Sequence, residues 1–191
     1  MSTAVVDFDK TLLTVDSTMR MLRDGYTYSS PIILWWGIVL FGVRFILPYQ
    51  RQVFFRRKFR HALFKEVYRR GAARVTDEYA EKLFPFVNED LVRYINEQYN
   101  RVYVSTAAWK DLVEAILARK NIKGWIVHGT EYDPDFNRFS TCWHMAKVDR
   151  LKTENLEHFD VFTDSEEDRP LMDAADRIFL VKGSNFSLLV Q

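Results

Sequence analysis

Short runs of β-branched and aromatic residues at 3–8, 101–106, 123–128, 159–163 and 177–182 punctuate the chain, and the later ones are separated by stretches whose apolar positions recur at helical spacing. Strands alternating with helices predict a parallel, doubly wound sheet. Its core is expected to contain Tyr103, Val104, Trp125, Ile126, Val127, Phe162, Ile178 and Leu180. Residues 129–143, with Pro134 and Asn137 between short β-like runs, read as a hairpin. Between the first two strands, residues 17–98 read as helical throughout. Within them, Ile32 to Leu47 is almost continuously apolar and bounded by Pro31 and Pro48, and Arg51-Gln52-Val53-Phe54-Phe55-Arg56-Arg57-Lys58-Phe59-Arg60 follows as a basic stretch with interleaved aromatics.

Composition bounds the picture without changing it. At 191 residues with 48% hydrophobic content, the chain suffices for one catalytic domain and one insertion. The net charge of +1 averages over a basic region at 51–70 and an acidic one at 154–176. A single cysteine, Cys142, excludes an internal disulfide framework and fits a reducing compartment. No basic segment followed by an apolar one precedes the first strand, so no cleaved signal is visible and a cytoplasmic start is expected.

Candidate chemistry enters at Asp7-Phe8-Asp9-Lys10-Thr11, directly behind the apolar run Ala4-Val5-Val6. Two carboxylates at the carboxyl end of a buried strand suit a site that holds a metal and moves protons. Three later segments extend the pattern. Val102-Tyr103-Val104-Ser105-Thr106 is a strand ending on hydroxyls, Lys147 sits in Met145-Ala146-Lys147-Val148, and Val161-Phe162-Thr163-Asp164 runs into an acid cluster that includes Asp168. His61, His128, His144 and His158 lack metal-ligand spacing and read as structural or surface residues.

In that order, Asp-x-Asp-x-Thr, strand-Ser/Thr, Lys and Asp-x-x-x-Asp resemble the four motifs of the haloacid dehalogenase superfamily, and the match spans nearly the whole chain. The resemblance implies an α/β fold with a Rossmann-like parallel sheet of about five strands and helices on both faces. Residues 1–16 and 99–191 would form this catalytic core. Residues 17–98 would be an inserted helical cap of the kind found in the phosphoserine phosphatase subfamily, with its apolar and basic segment at 31–70. It further implies a phosphatase in which Asp7 attacks phosphorus to form an aspartyl-phosphate, Asp9 is the general acid and base, and Lys147 offsets charge. Mg²⁺ would sit on Asp7, Asp164 and the backbone carbonyl of Asp9, with Asp168 ordering its surroundings. Ser105, Thr106, Thr11 and Asp16 would contact substrate; Asp16 stands where phosphoserine phosphatases carry a substrate-binding Glu, and the shorter acid argues against an amino-acid substrate.

The apolar segment raises the question of a membrane. At 1.5 Å per residue, 32–47 reaches roughly 24 Å, short of the roughly 30 Å hydrocarbon core. A single crossing would also separate Asp7 from Asp164. The segment is therefore expected to bury in protein, dip into the bilayer and return, or lie in the interface, and the basic aromatic stretch behind it has the composition of an interfacial anchor. Such a cap resembles the membrane-associated phosphatidylglycerophosphatase C type of enzyme. The expected substrate is accordingly a lipid phosphate such as phosphatidylglycerophosphate, met at an anionic membrane surface through residues 32–60, on the cytoplasmic face of the inner membrane. A soluble phosphatase for a small amino-alcohol or amino-acid phosphate is the alternative, and a non-catalytic membrane adaptor a second. No nucleic-acid motif accompanies the basic stretch, so nucleic acid is not an expected partner; the sequence is silent on oligomeric state.

Overall fold

Strand β1 (Thr3–Val6) lies at the centre of a seven-stranded sheet of order β4-β3-β2-β1-β5-β6-β7. Its companions are β2 (Arg101–Trp109), β3 (Ile126–Asp133), β4 (Arg138–Ser140), β5 (Asp160–Thr163), β6 (Arg177–Lys182) and β7 (Asn185–Leu189). The structure, a computed structural model, describes residues 2–23, 31–69, 71–135 and 137–189. The five central strands pair in parallel and both edge strands are antiparallel. The sheet thus exceeds the expected five strands by two. The 129–143 hairpin lengthens β3 and supplies β4, and β7 folds back on β6.

The strands are buried because both faces are covered. Val5, Tyr103, Val161 and Ile178 stand in register across four strands and pack against α7 (Met145–Thr153) and α8 (Arg169–Met172). The alternate residues Val6, Val104, Phe162 and Phe179 face the other way, as the period of two requires. There Phe162 and Phe179 stack at 4.5 Å, and Tyr94 of α5 (Glu89–Gln98) meets both rings. Of the expected core, Trp125, Ile126 and Leu180 are only half-buried, since they lie near strand ends or edges.

Among the described residues of the expected insertion, 17–98, the chain forms α1 (Ser17–Arg23), α2 (Pro31–Ile46), α3 (Tyr49–Arg69), α4 (Ala72–Leu83) and α5. Residues 24–30 and Arg70, which fall within it, lie outside the described residues. It does not separate cleanly from the sheet. Leu91 and Ile95 of α5 belong to the main core, and α4 packs on α6 (Lys110–Arg119). α2 and α3 form a helical hairpin that joins the same core through Ile33, Leu63 and Val67, and α3 rests on β3–β4 through His61 on Phe139, Phe64 on Phe139 and Tyr68 on Tyr132. Gly129 lets β3 run hard against the start of α6, because a Cβ there would lie 2.7 Å from the Lys110 Cα.

This topology fixes the site. Successive strands run outward from β1 to β2 and β3 on one side and to β5 and β6 on the other, so the order reverses at β1/β5. In open α/β sheets the crevice for a ligand forms at the carboxyl ends of the strands flanking that reversal.

Candidate active site

Asp7 follows the last residue of β1 and is tied to the neighbouring strand by its own N–H, which donates to the Phe162 carbonyl at 2.9 Å. The chain then leaves the sheet through a kinked turn over Phe8–Leu12, in which Lys10 adopts the left-handed φ of 59°. That kink puts Asp9 on the cleft side, where the Ser17 N–H donates to its Oδ1 at 2.7 Å. The same kink turns Thr11 into the core, fully buried.

The site's central element is a buried cation between two acids. Lys147, 3% exposed, donates from Nζ to Asp7 Oδ1 at 2.7 Å and to Asp168 Oδ1 at 2.6 Å. Thr163, at the end of β5, donates to the other oxygen of Asp168 at 2.9 Å. Residues 7, 147, 163 and 168 are thereby joined across β1, α7 and β5. Desolvation by burial would lower the Lys147 pKa, but the two carboxylates prevail and hold it above the ordinary range. Burial outweighs Lys147 at Asp7 and pushes its carboxyl up to about 7. Asp9 is pushed up to about 6, by burial first and then by the charge of Asp16. Burial also raises Asp164.

Asp7, Asp9, Asp16, Asp164, Asp168, Lys147 and Thr106 line one cleft of about 740 Å³. Three expected site residues behave differently. Ser105 is fully buried, and its Oγ lies 3.8 Å from Cys142 Sγ, not at the cleft. Side chains alternate along a strand, and the parity of β2 presents Thr106 in its place. The Thr106 hydroxyl accepts from the Ala108 N–H at 3.0 Å and retains its own proton to donate. Thr11 lies away from the cleft, and its Oγ1 finds no hydrogen-bond partner. Asp16 reaches the cleft but already accepts from the Met19 N–H at 2.8 Å, holding the first turn of α1.

The cleft also has residues that the motifs did not predict: Lys10, Arg44, Gln52, Arg56, Arg60 and Trp143. Gln52, Arg56 and Arg60 recur every four residues and so share one face of α3, a signal present in the sequence that the overall basic composition of the stretch masks. Arg56 meets Glu167 at 3.6 Å, and Arg60 reaches the Ala107 carbonyl at 3.5 Å.

Among the described residues no group of three or more His, Cys, Asp or Glu gathers as a metal cluster. The donor set expected here is smaller, two carboxylates and one backbone carbonyl. Asp7 and Asp164 line the same cleft beside Asp9, and burial disfavours the charge on both carboxylates. Hard oxygens whose charge is incompletely offset by one lysine fit a small divalent cation.

No curated protein matches the chain in sequence. Among solved structures, a protein of unknown function from Bordetella pertussis Tohama I superposes with a TM-score of 0.68 at 16% identity, covering 93% of this chain and 89% of that one. A cytosolic 5'-nucleotidase IIIB bound to cytidine gives 0.61 at 14% identity over 96% and 70% of the two chains. A phosphoserine phosphohydrolase-like protein from Francisella tularensis subsp. tularensis SCHU S4 gives 0.54 at 15% identity over 93% and 86%. At such identities the likeness is one of fold. The family model for haloacid dehalogenase-like hydrolases matches residues 4–173, from the strand that presents Asp7 to the helix after Asp168, and the chain belongs to that family.

Proposed function

We propose that the protein is a Mg²⁺-dependent phosphomonoesterase that works through an aspartyl-phosphate and takes its substrate at a lipid surface. The observation that carries the chemistry is the Asp7–Lys147–Asp168 chain beside Asp9 in one cleft. An oxygen of Asp7 attacks phosphorus as the bond to the leaving alkoxide breaks. Lys147, anchored by Asp168, keeps the nucleophile in place and offsets its charge. A carboxyl pushed up to about 6 carries a proton for part of the time near neutrality, so Asp9 hands one to the leaving oxygen. Asp9 then takes a proton from the water that cleaves the Asp7–phosphoryl bond, and the carboxylate of Asp7 is regenerated with release of phosphate. Thr106, which lines the cleft, would hold a phosphoryl oxygen, whereas Ser105, expected to contact substrate as well, lies against Cys142. Mg²⁺ on Asp7, Asp164 and the Asp9 carbonyl would neutralise phosphoryl charge when bound.

The lipid surface rests on a different observation. Among the described residues no helix is long and apolar enough to cross a membrane. Yet α2 turns Leu34, Ile38, Phe41 and Phe45 outward, with Phe41 at 68% and Phe45 at 73% exposed, and Phe54, Arg51, Arg57 and Lys58 of α3 are exposed as well. Apolar rings flanked by cations suit the boundary between headgroups and acyl chains. A lipid phosphate such as phosphatidylglycerophosphate is the substrate this favours, and the cytoplasmic side of the inner membrane its place. In a second reading, a soluble amino-alcohol or amino-acid phosphate, the ammonium would meet Asp16, which lines the cleft although it is shorter than the Glu of phosphoserine phosphatases.

A panel of lipid and soluble phosphates assayed with Mg²⁺ separates the two. Hydrolysis should stop with EDTA and return with Mg²⁺, and lipid phosphates in vesicles should be preferred. Activity indifferent to chelator would refute the metal assignment, and a preference for phosphoserine over every lipid phosphate would move the soluble reading into first place.

A further inference from the structure

Helix α3 has a second polar face, turned away from the cleft. Gln52, Arg56 and Arg60 lie along one side of it, whereas Phe54, Arg57, Lys58 and His61, spaced i, i+3, i+4 and i+7, lie along another. These four, with Asn137 and Phe139 of the β3–β4 hairpin, line a separate hollow of about 320 Å³. That volume is at the small end of the range for ligand sites.

The polar groups of the hollow are cations, an imidazole and an amide, and none of its described lining residues is acidic. His61 stacks on Phe139 at 5.3 Å, yet its Nε2 is shut off from solvent and finds no hydrogen-bond partner among the described residues. A buried polar atom left unpaired is costly, and a ligand that pairs it recovers that cost. Asn137 stands in the hairpin turn with a left-handed φ of 48°, and its Oδ1 accepts from the Tyr132 hydroxyl at 2.9 Å, so its amide N–H groups remain to donate. Burial lowers the His61 pKa first; the Asn137 side chain opposes the fall, and the charges of Lys65, Lys58 and Arg57 deepen it. The nearby carboxylates serve other cations. In the adjoining hollow, which shares Arg57 and Phe139, Asp133 meets Arg138 at 3.2 Å and Glu131 meets Lys110 at 2.7 Å.

We propose that Arg57, Lys58, His61 and Asn137 hold a phosphate group in this hollow, either free phosphate or the headgroup phosphate of a lipid. Two cations and two neutral donors without an opposing acid suit a tetrahedral oxyanion, and a guanidinium fork matches two of its oxygens. The group is bound and not turned over, since Asp7, Asp9 and Lys147 line the cleft and none of them lines the hollow.

The test follows the His61 ring by NMR through a pH titration, its signal identified by its loss in His61→Gln. Three additions are compared at matched ionic strength: sodium chloride, inorganic phosphate and dihexanoyl phosphatidylglycerol below its micelle concentration, a diester that a phosphomonoesterase leaves intact. Phosphate or the lipid should raise the His61 midpoint by about 1 pH unit and saturate, because a bound anion stabilises the imidazolium. Chloride should move it less and without saturation. Arg57→Gln and Lys58→Gln, both at exposed positions, should each raise the concentration needed about 10-fold. Asn137→Gly, which suits the left-handed φ, should raise it roughly 3-fold. Arg51→Gln, exposed on α3 outside the hollow, should leave it unchanged. Saturation by the lipid at the lower concentration identifies a headgroup as the ligand, and saturation by phosphate at the lower concentration identifies the free anion. Equal shifts from all three additions overturn the site, as does a saturable shift that survives Arg57→Gln and Lys58→Gln together. Hydrolysis of an aryl phosphate should be the same in that double variant as in the wild type, so the result stands apart from the phosphatase reading.

Discussion

The crevice at the β1/β5 reversal and the α2–α3 hairpin above it handle water in opposite ways. In the crevice, charged groups are withdrawn from solvent: Lys147 and Asp168 are 3% and 4% exposed and depend on each other and on Asp7 and Thr163 for their hydrogen bonds. In the hairpin, large apolar groups face outward, and of α2 only Ile33 is buried. Buried charge costs several kcal/mol per ion unless paired, whereas an exposed apolar side chain costs nothing in the folded state that the unfolded chain does not also incur. The first arrangement therefore persists because chemistry uses it. The second is the face that the proposed lipid surface would cover.

The sharpest way to break the comparison is at the crevice's reacting atom. Asp7→Asn should abolish turnover, because an amide oxygen held by Lys147 is no nucleophile. Residual hydrolysis above the uncatalysed rate in a metal-replete assay would show that another group attacks phosphorus. Lys147→Met should be next in size and act on the fold as well as on the rate. It leaves Asp7 and Asp168 buried without their shared cation, which costs about 3–5 kcal/mol in comparable buried pairs. Denaturant titration reads the loss. A variant as stable as the wild type would mean that the two carboxyls simply take up protons.

Asp9→Asn sharpens the contrast from the other side, since it should weaken catalysis and strengthen the fold. The rate should drop roughly 10² to 10⁴ on an alkyl phosphate and less on an aryl phosphate, whose phenolate leaves without a proton. Stability follows from linkage. The folded pKa of about 6 lies above the ordinary 3.8, so the folding contribution of this carboxyl is fully present below pH 3.8 and is lost as pH rises through about 6. Above pH 7 and without metal, the neutral amide should be more stable by the order of 1–3 kcal/mol, and the gain should vanish near pH 4. Thermal melts at the two pH values decide it; a gain independent of pH would mean packing, not charge.

The two regions were also unequally legible. Asp7, Asp9 and Asp164 could be placed at the cleft from the chain because they follow strand ends, and a strand's place is written in its apolar run; Lys147 and Asp168 come from helical turns and were found only through the order of the motifs. Where the outcome hung on one residue's parity or one dihedral, the sequence fell short. Ser105 and Thr106 are adjacent hydroxyls, and only the register of β2 decides which meets the cleft. Thr11 was turned inward by the kink at Lys10, whose φ of 59° no pattern announces. The edge strand β7 was missed because Asn185–Leu189 is short and mostly exposed, with little alternation to mark it. In the hairpin, composition indicated a membrane-like segment but could not sort its cations. Arg56 and Arg60 face the cleft while Arg51, Arg57 and Lys58 lie on the exposed surface, so neutralising Arg56 should affect substrate before it affects any vesicle.

The smallest expected effect on folding is the most telling about the hairpin. Leu63 of α3 is 1% exposed, and Leu63→Ala should cost about 2–5 kcal/mol. Phe41→Gln and Phe45→Gln, on an exposed edge-to-face pair 5.1 Å apart, should each change stability by no more than about 0.5 kcal/mol. Binding to anionic vesicles should nevertheless fall markedly in the double variant, because it removes the two rings that would enter the acyl boundary. Replacing Arg51, Arg57 and Lys58 by Gln should cost about 1 kcal/mol per charge near the surface, and that loss should shrink as salt rises, while the aromatic loss should not. Sedimentation with vesicles at two ionic strengths separates the two contributions. If the double Phe variant binds vesicles as the wild type does but unfolds several kcal/mol more easily, the rings are packed in solution against another protein surface, and a lipid surface is no longer what covers α2.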